Sequence, residues 1–116
     1  MRQNRRTGNS MVSAQELRKL VDSEPAILIY FKNDNCAPCL VLRPKVKELL
    51  DEFFPKVEMI VVDSVEQPEF AGEFHVFANP TLLTFFDGKE YIRKSKYVAI
   101  PELKSEISRL YEMMFS

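Results

Sequence analysis

The run Ala26-Ile27-Leu28-Ile29-Tyr30-Phe31, a short polar loop, and then Asn35-Cys36-Ala37-Pro38-Cys39 carry the most structural information in this chain. The first six residues are apolar without alternation, which predicts a strand buried on both faces. The cysteines are the only two of the 116 residues. Residues three apart on a helix share a face, so the two sulfurs can meet without backbone movement. The ring such a disulfide closes is small, removes little unfolded-state entropy and makes a poor staple. A bond that stabilises little but can open and close suits redox chemistry. A strand, CxxC and then a helical pattern is also the setting in which the pair reads as a thiol–disulfide exchange site.

Outward from this centre the chain alternates helices and strands. Ser13-Ala14-Gln15-Glu16 forms a capping box, opening a helix with Ala14, Leu17, Leu20 and Val21 as its apolar stripe. After the cysteines a helix is expected from about Cys36 to Phe54, with Leu42, Val46, Leu49, Leu50 and Phe53 inward and a kink at Pro44. Met59-Ile60-Val61-Val62 reads as a second buried strand and Gln67–Phe74 as a short helix. Thr81–Phe86 and Lys89–Lys94 read as strands joined at Asp87-Gly88, a strong hairpin signal. A last helix starts near Pro101, with Leu103, Ile107, Leu110, Tyr111 and Met114 inward. This order predicts an α/β fold: a central mixed sheet of about four strands with helices on both faces.

Length and composition fit one globular domain, taken as residues 13–116, behind a disordered basic tail at 1–12. No apolar stretch is long enough to span a bilayer. Arg2, Arg5 and Arg6 put three positive charges in the first ten residues; removing them from the overall −1 leaves −4 for the rest. Three arginines without aromatics do not make a nucleic-acid or lipid arm, so no nucleic-acid or membrane partner is expected. With no apolar segment after the basic start, the expected compartment is the cytoplasm. There a CxxC pair is catalytic or metal-binding more often than structural.

Three motifs make the chain resemble the thioredoxin family from roughly Ser13 to Phe115. They are Cys36-Ala37-Pro38-Cys39 with Pro44 five residues on, Asn79-Pro80-Thr81-Leu82-Leu83, and Phe86-Asp87-Gly88-Lys89. The resemblance implies a cis peptide before Pro80, with Asn79, Pro80 and Thr81 as a substrate-binding segment facing the cysteines. It also implies disulfide-containing client proteins, a reductase-like or other dithiol electron donor, a monomer and no cofactor. The departures bear on function. Tyr30 stands where the family usually carries a buried aspartate that handles the proton of the second thiol, and Met59 where that aspartate's lysine partner is expected. Asn35 and Lys32 replace tryptophans, and Ala37 a glycine. The chain is identified as a thioredoxin-like protein rather than a typical member.

Cys36, at the helix start, is expected to be the exposed nucleophile, its thiolate stabilised by the free N–H groups and dipole of the helix N-terminus. Cys39, one turn in, is expected to be shielded and resolving. Pro38 stiffens the turn between them. Lys32 is a candidate electrostatic helper opposed by Asp34, or simply half of a loop charge pair. Tyr30 is expected in the core, and His75, the only histidine, at a helix end. A zinc site within one chain needs carboxylate help and is not expected. Two other functions compete: a docking module with weak redox activity, and a dimer clamping a metal or iron–sulfur cluster between two CxxC pairs.

Overall fold

A computed structural model describes residues 5–7 and 13–115. The elements in chain order are β1 (Arg5–Thr7), α1 (Ala14–Ser23), β2 (Ala26–Lys32), α2 (Ala37–Phe53), β3 (Glu58–Asp63), α3 (Pro68–Glu73), β4 (Thr81–Phe86), β5 (Lys89–Ser95) and α4 (Ile100–Phe115). The four strands expected from the apolar runs lie in the order β3-β2-β4-β5. β3 runs parallel to β2, β4 antiparallel to β2, and β5 antiparallel to β4. A fifth strand, β1, joins the free edge of β3 in parallel. It falls within the stretch 1–12 expected as a disordered tail, so that expectation does not hold at Arg5–Thr7. An unpaired strand edge is a row of free backbone donors and acceptors, and β1 covers part of it with no apolar pattern of its own. The rest of that stretch lies outside the described residues.

Alternation across the sheet explains why the strands are apolar throughout. Leu28, Tyr30, Met59, Val61, Leu82 and Phe86 share one buried cluster with α2 and α4. Ile27, Ile29, Phe31, Ile60, Val62, Leu83 and Phe85 share the other with α1 and α3. Successive side chains point to opposite faces, and both faces are covered.

The helix signals resolve as follows. Ser13 caps α1, its hydroxyl accepting from the Glu16 N–H at 3.2 Å. α2 runs unbroken through Pro44. Phe53, expected in its buried stripe, is instead exposed beneath the Lys104 ammonium, 3.6 Å from the ring centroid. α2 stops at Phe53, and Phe54 leaves helical geometry and turns its ring inward against Tyr111, 5.2 Å between centroids. The hairpin turn has positive φ at both Asp87 (55°) and Gly88 (80°), as a two-residue turn between twisted strands requires.

Candidate active site

The site lies where β2 hands the chain to α2. The loop is folded by its own polar groups: Asn33 Oδ1 accepts from the Asn35 N–H (2.8 Å), and the Asn33 carbonyl from the Cys36 N–H (3.2 Å). Cys36 is thereby set as the N-cap of α2, with Ala37 and Pro38 as its first helical residues. Proline fits there, since its missing N–H would have had no helical partner. Cys36 and Cys39 are joined as a disulfide, with 5.3 Å between their Cα atoms.

The two sulfurs are not equivalent. Cys36 is half-buried, while Cys39 is 1% exposed. The Cys39 N–H donates to Cys36 Sγ at 3.2 Å. Sulfur thus takes the place a serine or aspartate oxygen takes at other helix starts, where the helix dipole favours negative charge.

Tyr30 is fully buried below this turn, and its hydroxyl donates to the Cys39 carbonyl at 2.8 Å. Burial pushes the Tyr30 hydroxyl up to about 12, with the Arg43 charge pulling the other way. It therefore keeps its proton near neutral pH. The β3 residue in register with Tyr30 is Val61, while Met59 pairs with Leu28. Met59 and Val61 share one buried cluster with Tyr30, so these β3 residues set apolar side chains and no charge on its face of the sheet.

Two residues on, Lys32 is in a different situation. Its ammonium bridges Asp34 (2.9 Å) and Asp63 (3.1 Å). These contacts, the Asp34 hydrogen bond foremost, raise the Lys32 pKa despite partial burial. Burial pushes Asp63 up, but the Glu66 and Val65 N–H groups and Lys32 outweigh it and hold the carboxyl below its ordinary value. Lys32 is half of a charge cluster and not a free cation beside the sulfurs. Carboxylate oxygens of Asp34, Asp63 and Glu66 lie within 4.8 Å of one another; the Lys32 ammonium already bridges two of them.

The third part comes from the start of β4. Thr81 pairs with Phe31 in register, which brings Asn79 and Pro80 to the end of β2 that leads into the cysteines. The Asn79–Pro80 peptide is cis. Asn79 Oδ1 accepts from the Ser64 hydroxyl (3.1 Å), and the buried Thr81 hydroxyl donates to the Ala78 carbonyl (2.7 Å). The Pro80 carbonyl accepts from the Lys96 N–H at 2.8 Å, tying in the segment after β5. Lys96 has φ 69°, and Tyr97 beside it is 93% exposed. Neither carries a glycine or asparagine signal that could have marked the turn. His75 stands just past α3, as expected of a helix-end residue, with its carbonyl accepting from Arg93. No helix among the described residues is long and apolar enough to cross a membrane.

Comparison with known proteins places this arrangement. The family model described as Thioredoxin matches residues 9–109. The chain is 32% identical over 85 residues to a thioredoxin-like protein, YdfQ, of Bacillus subtilis, covering 73% of this chain and 75% of the relative. It is 32% identical over 95 residues to thioredoxin 1 of Chlorobaculum tepidum, covering 81% of this chain and 94% of that one. Among solved structures, Fasciola hepatica thioredoxin superposes with a TM-score of 0.71 at 31% identity, covering 90% of this chain and 97% of that one.

Proposed function

Since the chain belongs to the thioredoxin family and is a thiol–disulfide oxidoreductase with a Cys36–Cys39 redox pair, we propose that it reduces client protein disulfides with Cys36 as nucleophile and Cys39 as resolving thiol. The observation that carries the assignment is the asymmetry at the helix cap. The half-buried Cys36 Sγ receives the Cys39 N–H, while Cys39 is shut from solvent.

In the reduced protein the Cys36 thiolate attacks one sulfur of the client disulfide. A Cys36–client bond forms, the client S–S bond breaks, and the leaving thiolate takes a proton from solvent. Cys39 then gives up its proton, and its thiolate attacks Cys36 Sγ. The mixed disulfide breaks, the Cys36–Cys39 disulfide forms and the second client thiolate departs. Two electrons have passed from the dithiol to the client. A dithiol donor of the thioredoxin-reductase kind returns them. Asn79, Pro80 and Thr81 are assigned to the client-facing segment, where the Asn79 backbone would pair with an extended client strand. The protein is assigned to the cytoplasm, as a monomer; both of its cysteines are in the redox pair, and none is left for a structural bridge.

Insulin reduction driven by a dithiol donor tests the assignment, with a redox titration of the couple beside it. Turnover with a potential of about −270 mV, the value of thioredoxin, is expected. A chain that binds clients but does not turn over would be a docking module, and a much higher potential would make it an oxidant or isomerase.

A further inference from the structure

Between α2 and the segment joining β5 to α4 lies a cleft of about 430 Å³ that opens beside the redox pair. Its apolar lining comes from Pro38 of the CxxC turn, Val41, Leu42, Val98 and Ile100, and its polar lining from Lys45, Lys96 and Tyr97. Val41 and Tyr97 are 60% and 93% exposed, so apolar surface stands in water next to the reacting sulfurs. Both charged residues at the cleft are lysines. Among the described residues neither has a carboxylate partner, whereas nearby Lys94 is held by Glu102 and Glu106. No acidic residue lines the cleft. The protein as a whole is slightly acidic, so the cleft opposes the net charge of the molecule.

Resting on the reductase reading, we propose that this cleft is a specificity subsite for the client segment flanking the attacked cysteine, and that it selects segments pairing an apolar side chain with an acidic one. The apolar side chain would lie over Val41, Leu42 and Ile100, with the exposed Tyr97 ring as one wall, and its removal from water supplies the affinity. The carboxylate would sit between the Lys45 and Lys96 ammonium groups. Both lysines are exposed, and ion pairs at exposed positions are weak, which suits a preference among clients better than tight binding. Charge complementarity of this sort also acts against wrong partners, since a basic segment meets two lysines and no acid.

The test uses three matched peptide disulfides whose attacked cysteine is flanked by Glu-Leu, Gln-Leu or Lys-Leu, each made with the segment before or after the cysteine. At low ionic strength kcat/KM is expected to fall in that order, with about a tenfold span between the acidic and basic peptides. The span should shrink in high salt. The Lys45→Glu, Lys96→Glu double variant should invert the order, and Lys45→Glu alone, which leaves the segment after β5 untouched, should flatten it. Rates within twofold across the three peptides, or an order unchanged in both variants, would overturn the proposal. Serine versions of the peptides, which cannot react, should shift the amide resonances of Val41, Lys45 and Tyr97 in an NMR titration, most strongly for Glu-Leu. That titration judges the cleft even for a protein that reduces nothing. Reduction of a small uncharged disulfide by the wild-type chain judges the reductase reading without the cleft.

Discussion

Tyr30 and Lys32 stand two residues apart on the same strand, yet the molecule treats their polar atoms in opposite ways. The Tyr30 hydroxyl is sealed in the core, gives its one proton to the Cys39 carbonyl and stays protonated to about pH 12. The Lys32 ammonium sits at the rim between two carboxylates, which raise its pKa while Asp63 is held below its ordinary value. The redox pair is therefore bounded on the inside by a hydroxyl that keeps its proton near neutral pH, and on the outside by one ammonium held between two carboxylates. The inner side, where Cys39 is buried, offers it no base in Tyr30. A thiol in the position of Cys39, sealed and without a carboxylate, must lose its proton to solvent. Resolution is thus expected to be the slow half of the reaction and to accelerate as pH rises.

The largest effects should come from the sulfurs. Cys36→Ser is expected to abolish turnover and to trap no clients, while Cys39→Ser accumulates mixed disulfides, because attack continues without resolution. Mass mapping after brief alkylation of the reduced wild type should find Cys36 labelled first. Equal trapping by both variants, or Cys39 labelled first, would reverse the inner and outer roles. Next comes Tyr30→Asp, which puts a base on the inner side. Stopped-flow resolution at pH 7 should become faster and its pH dependence flatter. The thermal melt should fall, since loss of a large core side chain for a buried carboxyl costs about 3 kcal/mol or more. A folded Tyr30→Asp protein that is no faster would show that solvent already suffices. Tyr30→Phe removes only the hydroxyl. It should cost about 1 kcal/mol and leave the pH profile of resolution unmoved, because a group that does not titrate cannot have shaped that profile.

Much of this arrangement is legible in the sequence. The doubly covered strands follow from apolar runs without alternation, the α1 start from Ser13 and Glu16, and the hairpin from Asp87-Gly88. The place of the CxxC pair at the start of α2 follows from the strand–CxxC–helix setting. What stayed hidden depends on partners distant in sequence or on backbone alone. A buried tyrosine announces that its hydroxyl needs an acceptor, but the Cys39 carbonyl becomes one only when α2 lies over β2. Lys32 could be paired with Asp34 by proximity, whereas Asp63 reaches it only through the β2–β3 register. β1 pairs through its main chain and needs no apolar pattern. Lys96 adopts a left-handed conformation without the glycine or asparagine that usually signals one, so the lysine-rimmed cleft had no marker in the sequence.

The smallest expected effect falls on the outer side, and its pH dependence is the sharpest check on the contrast. Asp63→Asn keeps an oxygen for the Val65 and Glu66 N–H groups but removes the charge facing Lys32. At pH 7 the loss should be about 1 kcal/mol, typical of a partly buried pair with hydrogen bonds to a charged group. The window has two edges. Asp63 is held below its ordinary value, so its contribution is complete above the unfolded carboxyl value near about 4 and disappears as pH falls through the lower folded value. Lys32 is held above its ordinary value, so its contribution is complete below about 10.4 and disappears as pH rises through the higher folded value. The stability difference between wild type and variant, from urea melts, should therefore be flat from pH 5 to 9 and shrink on both sides. Exchange rates at pH 7 should change little, since Asp34 still holds the ammonium. A large acceleration would mean that Asp63 had been restraining a cation able to reach Cys36, and the rim would then belong to the chemistry rather than to the scaffold.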